Sequence, residues 1–150
     1  MRRRVALALL LAVTAGCAPT AEQQAAAFTP TSATTAARAR QSRRFDTTDM
    51  AMMLQAAIGA MQDIGFVIDE SDAPQGVLVG TKLSGALLRG QVILRPAGDG
   101  KSIIVRATFQ RITPRPGAML AMGEELDDPK LYQGFFEKLS QSAFLTANDI

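Results

Sequence analysis

Histidine and tryptophan are absent from the 150-residue chain, and cysteine and tyrosine occur once each. Without histidine the chain lacks the commonest general base, the usual zinc ligand and any Ser–His or Cys–His nucleophile pair. A single cysteine cannot form an internal disulfide bond, so the fold must be stable without one. The sequence therefore predicts a non-catalytic protein that uses no metal and no cofactor.

Beyond the N-terminus the chain has no excess of positive charge. The chain has 16 basic and 14 acidic residues, a formal net charge of +2 and a pI of about 9.0. Three of the basic residues are Arg2, Arg3 and Arg4; without them 13 basic residues face 14 acidic ones, a net charge of −1. The basic pI belongs to the start of the chain, and no nucleic-acid partner is expected.

The first residues have the pattern of an export signal. The three arginines precede an apolar run, Val5–Val13, that is too short to span a bilayer. The string from Thr14 to Cys17 resembles the lipobox of bacterial lipoproteins, in which the cysteine is acylated and becomes the first mature residue. The resemblance implies a signal peptide over residues 1–16 and lipidation of Cys17. The alternatives are an ordinary secretory signal cleaved near Ala18 and an uncleaved anchor.

The same resemblance implies a location. In Gram-negative lipoproteins an Asp after the acylated cysteine favours retention in the inner membrane, and this chain has Ala18 there. We therefore expect the protein on the periplasmic face of the outer membrane, held through its lipid anchor. Ala, Thr, Ser and Gln dominate residues 17–40, which predicts a flexible tether. We expect the basic residues from Arg38 to Arg44 to be solvated, with contact to anionic lipid headgroups as the alternative.

Residues 41–150 have the periodicities of one small α+β domain. A helix is expected over Asp49–Ile64, capped by Asp46 or Thr48, and a second helix is expected to begin with Asp128 as its cap. Strands are expected near residues 40–46, 66–69, 77–83, 91–95 and 102–112. The order predicts an antiparallel sheet of about four to five strands with two helices packed on one face. This layout resembles the helix-grip arrangement.

The same periodicities predict the core. Strand alternation and helical spacing converge on six residues: Phe66, Val79, Val105, Phe109, Phe135 and Leu139. The buried stripe of the second helix is expected to comprise Leu131, Phe135, Phe136, Leu139, Ala143 and Phe144. Gly80, Gly85 and Gly90, spaced by five, are expected to mark bends or a flexible loop.

Carboxylates form two groups along the chain, and both are expected to be solvated turns or a helix N-terminus rather than catalytic pairs. The groups are Asp63, Asp69, Glu70 and Asp72, and Glu124, Glu125, Asp127 and Asp128. Neither has the alternating oxygen ligands with a central glycine that a calcium loop requires.

Four segments resemble a family of short periplasmic lipoproteins of Gram-negative bacteria that have no established activity. The segments are Arg43–Thr47, Leu54–Ala56, Met61–Phe66 and Leu131–Phe136. The resemblance covers about residues 41 to 145. It implies a periplasmic location and a small α+β domain, and it assigns no activity.

Two apolar features are candidates for partner binding. Met52 falls off the main apolar stripe of the first helix and is expected to be exposed. An apolar run containing Met119, Leu120 and Met122 lies in a loop bounded by glycines, where it either folds onto the core or docks a partner. The sequence thus predicts a protein-interaction or envelope-assembly module with an envelope protein as partner. The alternative is a cavity between helices and sheet, lined by Phe66, Phe109 and Phe135, that holds a lipid or another small apolar ligand.

The lipobox resemblance predicts acylation at Cys17. Metabolic labelling with a fatty-acid analogue should mark the wild-type protein and leave Cys17→Ser unlabelled, because the chain has no other thiol. Equal labelling of the two proteins would contradict the assignment.

Overall fold

Three helices and six strands make up the part of the chain that the computed structural model describes, which is residues 31–114, 117 and 122–148. Residues 32–150 belong to one compact unit. In chain order the elements are α1 (Ser32–Gln41), β1 (Ser42–Phe45), α2 (Met50–Asp63), β2 (Val67–Asp72), β3 (Val77–Ser84), β4 (Ala86–Pro96), β5 (Ile103–Thr113), β6 (Met122–Glu125) and α3 (Pro129–Ala147).

The strands form one antiparallel sheet in the order β1-β5-β4-β3-β2, with β6 also paired to β5. Strands β1 and β6 share one edge of β5: β1 pairs with residues 103–106 and β6 with residues 110–113. The predicted α+β class with an antiparallel sheet is confirmed, but the sheet has six strands rather than four to five. The additional strand is β6, whose four residues are too few for a period of two to be visible in the sequence.

An aspartate directly precedes each of the two long helices, α2 and α3, and caps its N-terminus. The Asp49 carboxylate accepts a hydrogen bond from the Met52 N–H at 2.9 Å, so Asp49 caps α2. The prediction that Asp46 or Thr48 caps this helix is wrong. Asp128 caps α3 as predicted, with Pro129 at the first helical position. These caps satisfy backbone N–H groups that have no partner within the helix.

The core lies between the sheet and helices α2 and α3. Alternate residues of β4 and β5 point toward the helices and are at most 1% exposed: Val92, Leu94, Ile103, Val105, Ala107 and Phe109. With the residues that α2, α3 and Phe66 contribute, these side chains form one hydrophobic core, which contains five of the six predicted core residues but not Val79. Its neighbour Leu78 faces the helices, so strand alternation turns Val79 to the opposite face of the sheet.

Val79 is nevertheless only 7% exposed. On the open face it lies in a cleft of about 250 Å³ among longer polar side chains: Arg89, Gln91, Thr108 and Gln110. Such side chains cover apolar surface with their stems while their polar ends reach water. The sequence could not assign the face, because Val77, Leu78 and Val79 are consecutive apolar residues.

Two glycines form a cross-strand pair beneath α2. Gly80 is opposite Gly90 in the β3–β4 ladder. A Cβ atom on Gly90 would lie 2.7 Å from Met61 Cε and 3.0 Å from Phe109 Cε1, and one on Gly80 would lie 3.2 Å from Met61 Cε. The pair therefore leaves room for core side chains within continuous strands, and the predicted bends or flexible loop are wrong at these positions. Of the three glycines spaced by five, only Gly85, with φ of +67°, forms a turn.

Two further expectations differ from the structure. Phe144 is 64% exposed, because it is one residue beyond Ala143 and therefore about 100° around the helix from the buried stripe. Residues 32–40, which the composition assigned to the tether, form α1 together with Gln41. Its C-terminal end is attached to the domain by an ion pair between Arg40 and Asp127 and by Gln41, which is 3% exposed.

Asp99 organises the turn between β4 and β5. Its carboxylate accepts hydrogen bonds from the backbone N–H groups of Lys101 and Ser102, and Arg44 Nη1 lies 2.6 Å away. The hydrogen bond from Lys101 and that from the Ser102 hydroxyl hold the pKa of Asp99 below its ordinary value of 3.8, with a further contribution from Arg44.

The Phe109 ring is in contact with the rings of Phe66, Tyr132 and Phe135. Phe109→Ala should therefore lower the free energy of unfolding by about 3–5 kcal/mol in urea denaturation. The control Phe144→Ala, at an exposed position, should change it by less than about 0.5 kcal/mol. A loss below about 1 kcal/mol for Phe109→Ala would contradict this description of the core.

Candidate functional site

Strand β5 has a short stretch between the residues that pair with β1 and those that pair with β6. The Tyr132 side chain and the backbone of Leu126 bind this stretch. Residues 107–109 pair with neither strand on this edge. The Phe109 N–H donates a hydrogen bond to the Tyr132 hydroxyl at 3.3 Å, and the Phe109 carbonyl accepts one from the Leu126 N–H at 2.8 Å. Both backbone groups of Phe109 are thereby satisfied, as buried backbone groups must be.

A polar network surrounds this stretch of β5. Gln41 donates through Nε2 to the Glu125 carboxylate and accepts at Oε1 from Arg106 Nη2 at 3.0 Å. The network joins the end of α1 to β5 and β6. Neither Gln41 nor Tyr132 was predicted from the sequence as a functional residue. The sequence does contain a signal for Tyr132: it is the only tyrosine of the chain, and it precedes Phe135 and Phe136 by three and four residues, which puts it on the same, buried face of the helix.

Tyr132 serves as a hydrogen-bonding group. Burial raises its pKa above the ordinary value of 10.0; Glu125 and Asp127 raise it further, while hydrogen bonds with Phe109 and Gln41 act in the opposite direction. At neutral pH the hydroxyl is therefore protonated. The arrangement holds an edge of the sheet and positions no reactive nucleophile.

Three arginines of the basic segment contact the domain itself. Arg40 pairs with Asp127, Arg44 pairs with Asp99, and the Arg43 guanidinium lies 4.8 Å from the centre of the Phe136 ring. The expectation that this whole segment is solvated is therefore wrong. Arg40 and Arg43 also line a cleft of about 410 Å³ between α1, β1 and α3.

The first acidic group lies at the end of α2 and in strand β2, not in a turn as predicted, and the second lies in β6 and in the residues just before α3. Asp72 accepts from the Gln75 N–H, Asp69 accepts from the Thr81 hydroxyl, and Asp128 caps α3. Glu124 and Glu125 are in β6, not in the turn predicted for them. Within residues 31–114, 117 and 122–148, no group of three or more His, Cys, Asp or Glu side chains is placed to hold a metal ion.

One end of the sheet presents apolar side chains. Leu83 and Leu87 are opposite each other across the β3–β4 hairpin and are 82% and 40% exposed. Leu87 is in turn opposite Ile112 of β5, so the three residues form a row on the open face of the sheet. We call these three residues the end row. On the helix side of the same end is a cleft of about 600 Å³ whose lining includes Leu88, Leu126 and Leu131.

The predicted partner-binding residues fall in different places. Cys17, Met119 and Leu120 lie outside the described residues. Met122 is the first residue of β6 and is opposite Thr113, so both ends of the apolar loop meet beside the end row. Met52 was expected to be exposed, but it is half-buried and packs against the core, because α2 buries more of its circumference than one stripe.

The aromatic rings at the centre of the domain are in mutual contact. Phe109 is 5.5 Å from Phe66 and 5.8 Å from Phe135, measured between ring centres, and all three are at most 3% exposed. The three clefts described above contain none of these three residues in their linings. The rings therefore pack against one another in the region where the cavity hypothesis located a ligand.

No protein-family model and no curated protein matches this chain. Among the helices of the described residues, none has the length and apolar character needed to cross a membrane.

The hydrogen bond at Tyr132 predicts a stability loss on removal of its hydroxyl. Tyr132→Phe leaves the buried Phe109 N–H without its acceptor, so the free energy of unfolding at neutral pH should fall by about 1–3 kcal/mol in urea denaturation.

The same residue predicts a pH dependence. Because folding raises the pKa of Tyr132, the contribution of its neutral hydroxyl is complete below the unfolded value of about 10 and is lost as pH rises through the folded value. The difference in stability between wild type and Tyr132→Phe should therefore shrink in alkaline solution. Tyrosinate absorbance reports this ionisation directly, since the chain has no other tyrosine. A midpoint at or below that of the unfolded chain would contradict the prediction.

Proposed function

We propose that this chain is a lipoprotein held on the periplasmic face of the outer membrane through acylated Cys17, and that its domain is a non-catalytic protein-interaction or envelope-assembly module. The export signal that ends at the only cysteine, and Ala18 after it, support the anchor and the location. The likeness to short periplasmic lipoproteins supports the same location.

The packed aromatic core is the observation that most supports recognition at the surface. A domain that encloses a lipid or an apolar ligand needs an internal volume of some hundreds of Å³. The contacts of Phe109 with Phe66, Tyr132 and Phe135 occupy the centre of this domain. They favour an interaction module over the alternative, a binding domain with a ligand between helices and sheet.

The chemistry of the side chains supports a role without catalysis. The chain has no histidine. The aspartates Asp72, Asp99 and Asp128 accept hydrogen bonds from backbone N–H groups, which accounts for them as turn and cap residues.

We assign the protein-binding role to the apolar segment between β5 and β6, which contains Met119 and Leu120. Five consecutive apolar residues, 118–122, are unfavourable in water, and the paired residues Thr113 and Met122 fix the two ends of this segment at the edge of the sheet. A partner that covers this segment would remove its apolar side chains from water.

Crosslinking in intact envelopes tests this assignment. Met119→Ser/Leu120→Ser in the acylated chain should retain the wild-type melting temperature and lose its crosslinks to envelope protein. The matched control is Phe144→Ser/Leu145→Ser, which also removes two apolar side chains, at positions 64% and 43% exposed, and should retain the crosslinks.

Two results would count against the assignment. A lower melting temperature of Met119→Ser/Leu120→Ser would mean that the segment contributes to the core. A stable variant that keeps every crosslink would remove the binding role from this segment, and it would favour the ligand-binding alternative.

A further inference from the structure

The turn between β3 and β4 carries apolar side chains into solvent. Gly85 lies between the paired residues Ser84 and Ala86, and no other atom is within 4 Å of the position that a Cβ on Gly85 would occupy. Immediately behind the turn are Leu83, 82% exposed, and Leu87, 40% exposed. Water-exposed leucines at the tip of a hairpin are unfavourable unless another phase or molecule covers them.

Two arginines flank the end row. Arg89 is two residues behind Leu87 on the open face, which is about 7 Å along the strand. Arg111 is on the helix face, since it is opposite Leu88, which packs against the core. Arg89 has no ion-pair partner among the residues that the structure describes, and Arg111 is 4.0 Å from Glu124, with both side chains at least half exposed.

This order of side chains matches the order of layers at a bilayer surface. Apolar side chains enter the boundary between headgroups and acyl chains, while arginines slightly behind them remain at the depth of the lipid phosphates. Cations near an anionic membrane surface are each favourable by electrostatic attraction. The β4–β5 turn has no such apolar tip: its exposed residues are Gly98, Asp99, Gly100 and Lys101.

We propose that the β3–β4 tip inserts into the lipid surface to which Cys17 tethers the domain, with Leu83 and Leu87 among the acyl chains and Arg89 and Arg111 at the phosphates. The inference rests on the lipid anchor of the proposed function and is independent of its protein partner. The 14 residues from Ala18 to Thr31 span at most about 50 Å. The tether therefore keeps the whole domain near the bilayer at a high effective concentration, so that a weak contact of the tip suffices.

A single fluorescent label tests the insertion in the acylated protein. Acylation occupies the only native thiol, so Ser84→Cys can be labelled with an environment-sensitive fluorophore at the tip. Lys101→Cys, at the exposed β4–β5 turn, is the matched reference. In vesicles of phosphatidylcholine and phosphatidylglycerol, the label at 84 should emit at shorter wavelength and be quenched several-fold less by aqueous iodide than the label at 101.

Two variants identify the side chains responsible. Leu83→Ser/Leu87→Ser should bring iodide quenching at position 84 to the level at 101, whereas the control Phe144→Ser/Leu145→Ser should not. Arg89→Glu should increase quenching at 84 in vesicles that contain phosphatidylglycerol and have a smaller effect in phosphatidylcholine alone. The comparison of positions 84 and 101 needs neither variant, so it remains decisive if a variant fails to fold.

Flotation of the vesicles separates failure of the inference from failure of the proposed anchor. Protein that floats with equal quenching at positions 84 and 101 overturns the inference alone. Shielding at 84 that appears only after envelope proteins are added also overturns it, because the tip would then be a protein contact. Protein that does not float lacks the tether, which overturns both the anchor and the inference.

Discussion

The close approach of Met61 and Phe109 to the glycine pair at the centre of the sheet is the contact on which the rest of the structure depends. A single methyl group on Gly90 would be 2.7 Å from Met61 Cε and 3.0 Å from the Phe109 ring. Without side chains at Gly80 and Gly90, helix α2 can pack closely on strands β3 and β4, and Phe109 can reach the rings of α3. Interiors are packed at crystal-like density, so such positions tolerate little added volume.

This packing has a consequence for function. The apolar side of the sheet is used by α2 and α3, and the aromatic rings fill the space between them. The proposed recognition would therefore take place at the surface, where Leu83 is the most exposed of the large apolar residues that the structure describes. The proposed lipid anchor and the apolar sheet end together would set the orientation of the domain on a membrane and leave the open face of the sheet accessible.

The shared edge of β5 illustrates what local patterns omit. Strands β1 and β6 have four residues each, and the part of β5 that neither of them pairs is held by the Tyr132 hydroxyl and by the contacts of Gln41 with Glu125 and Arg106. Gln41 is 84 residues from Glu125 and 65 from Arg106. No periodicity relates residues at such separations, so this network and the role of the acidic residue Glu125 could not be predicted.

The sequence by itself determined the α+β class, the cap of α3 and the inward facing of Val105 and Phe109 in β5. These follow from local physics: a period of two along a strand, and a proline after a capping aspartate. Only the tertiary structure decided the outward facing of Val79, the exposure of Phe144, the partial burial of Met52 and the strand β6. Each depends on which surface lies opposite the residue, because burial is a relation between elements and alternation within one element leaves its direction open.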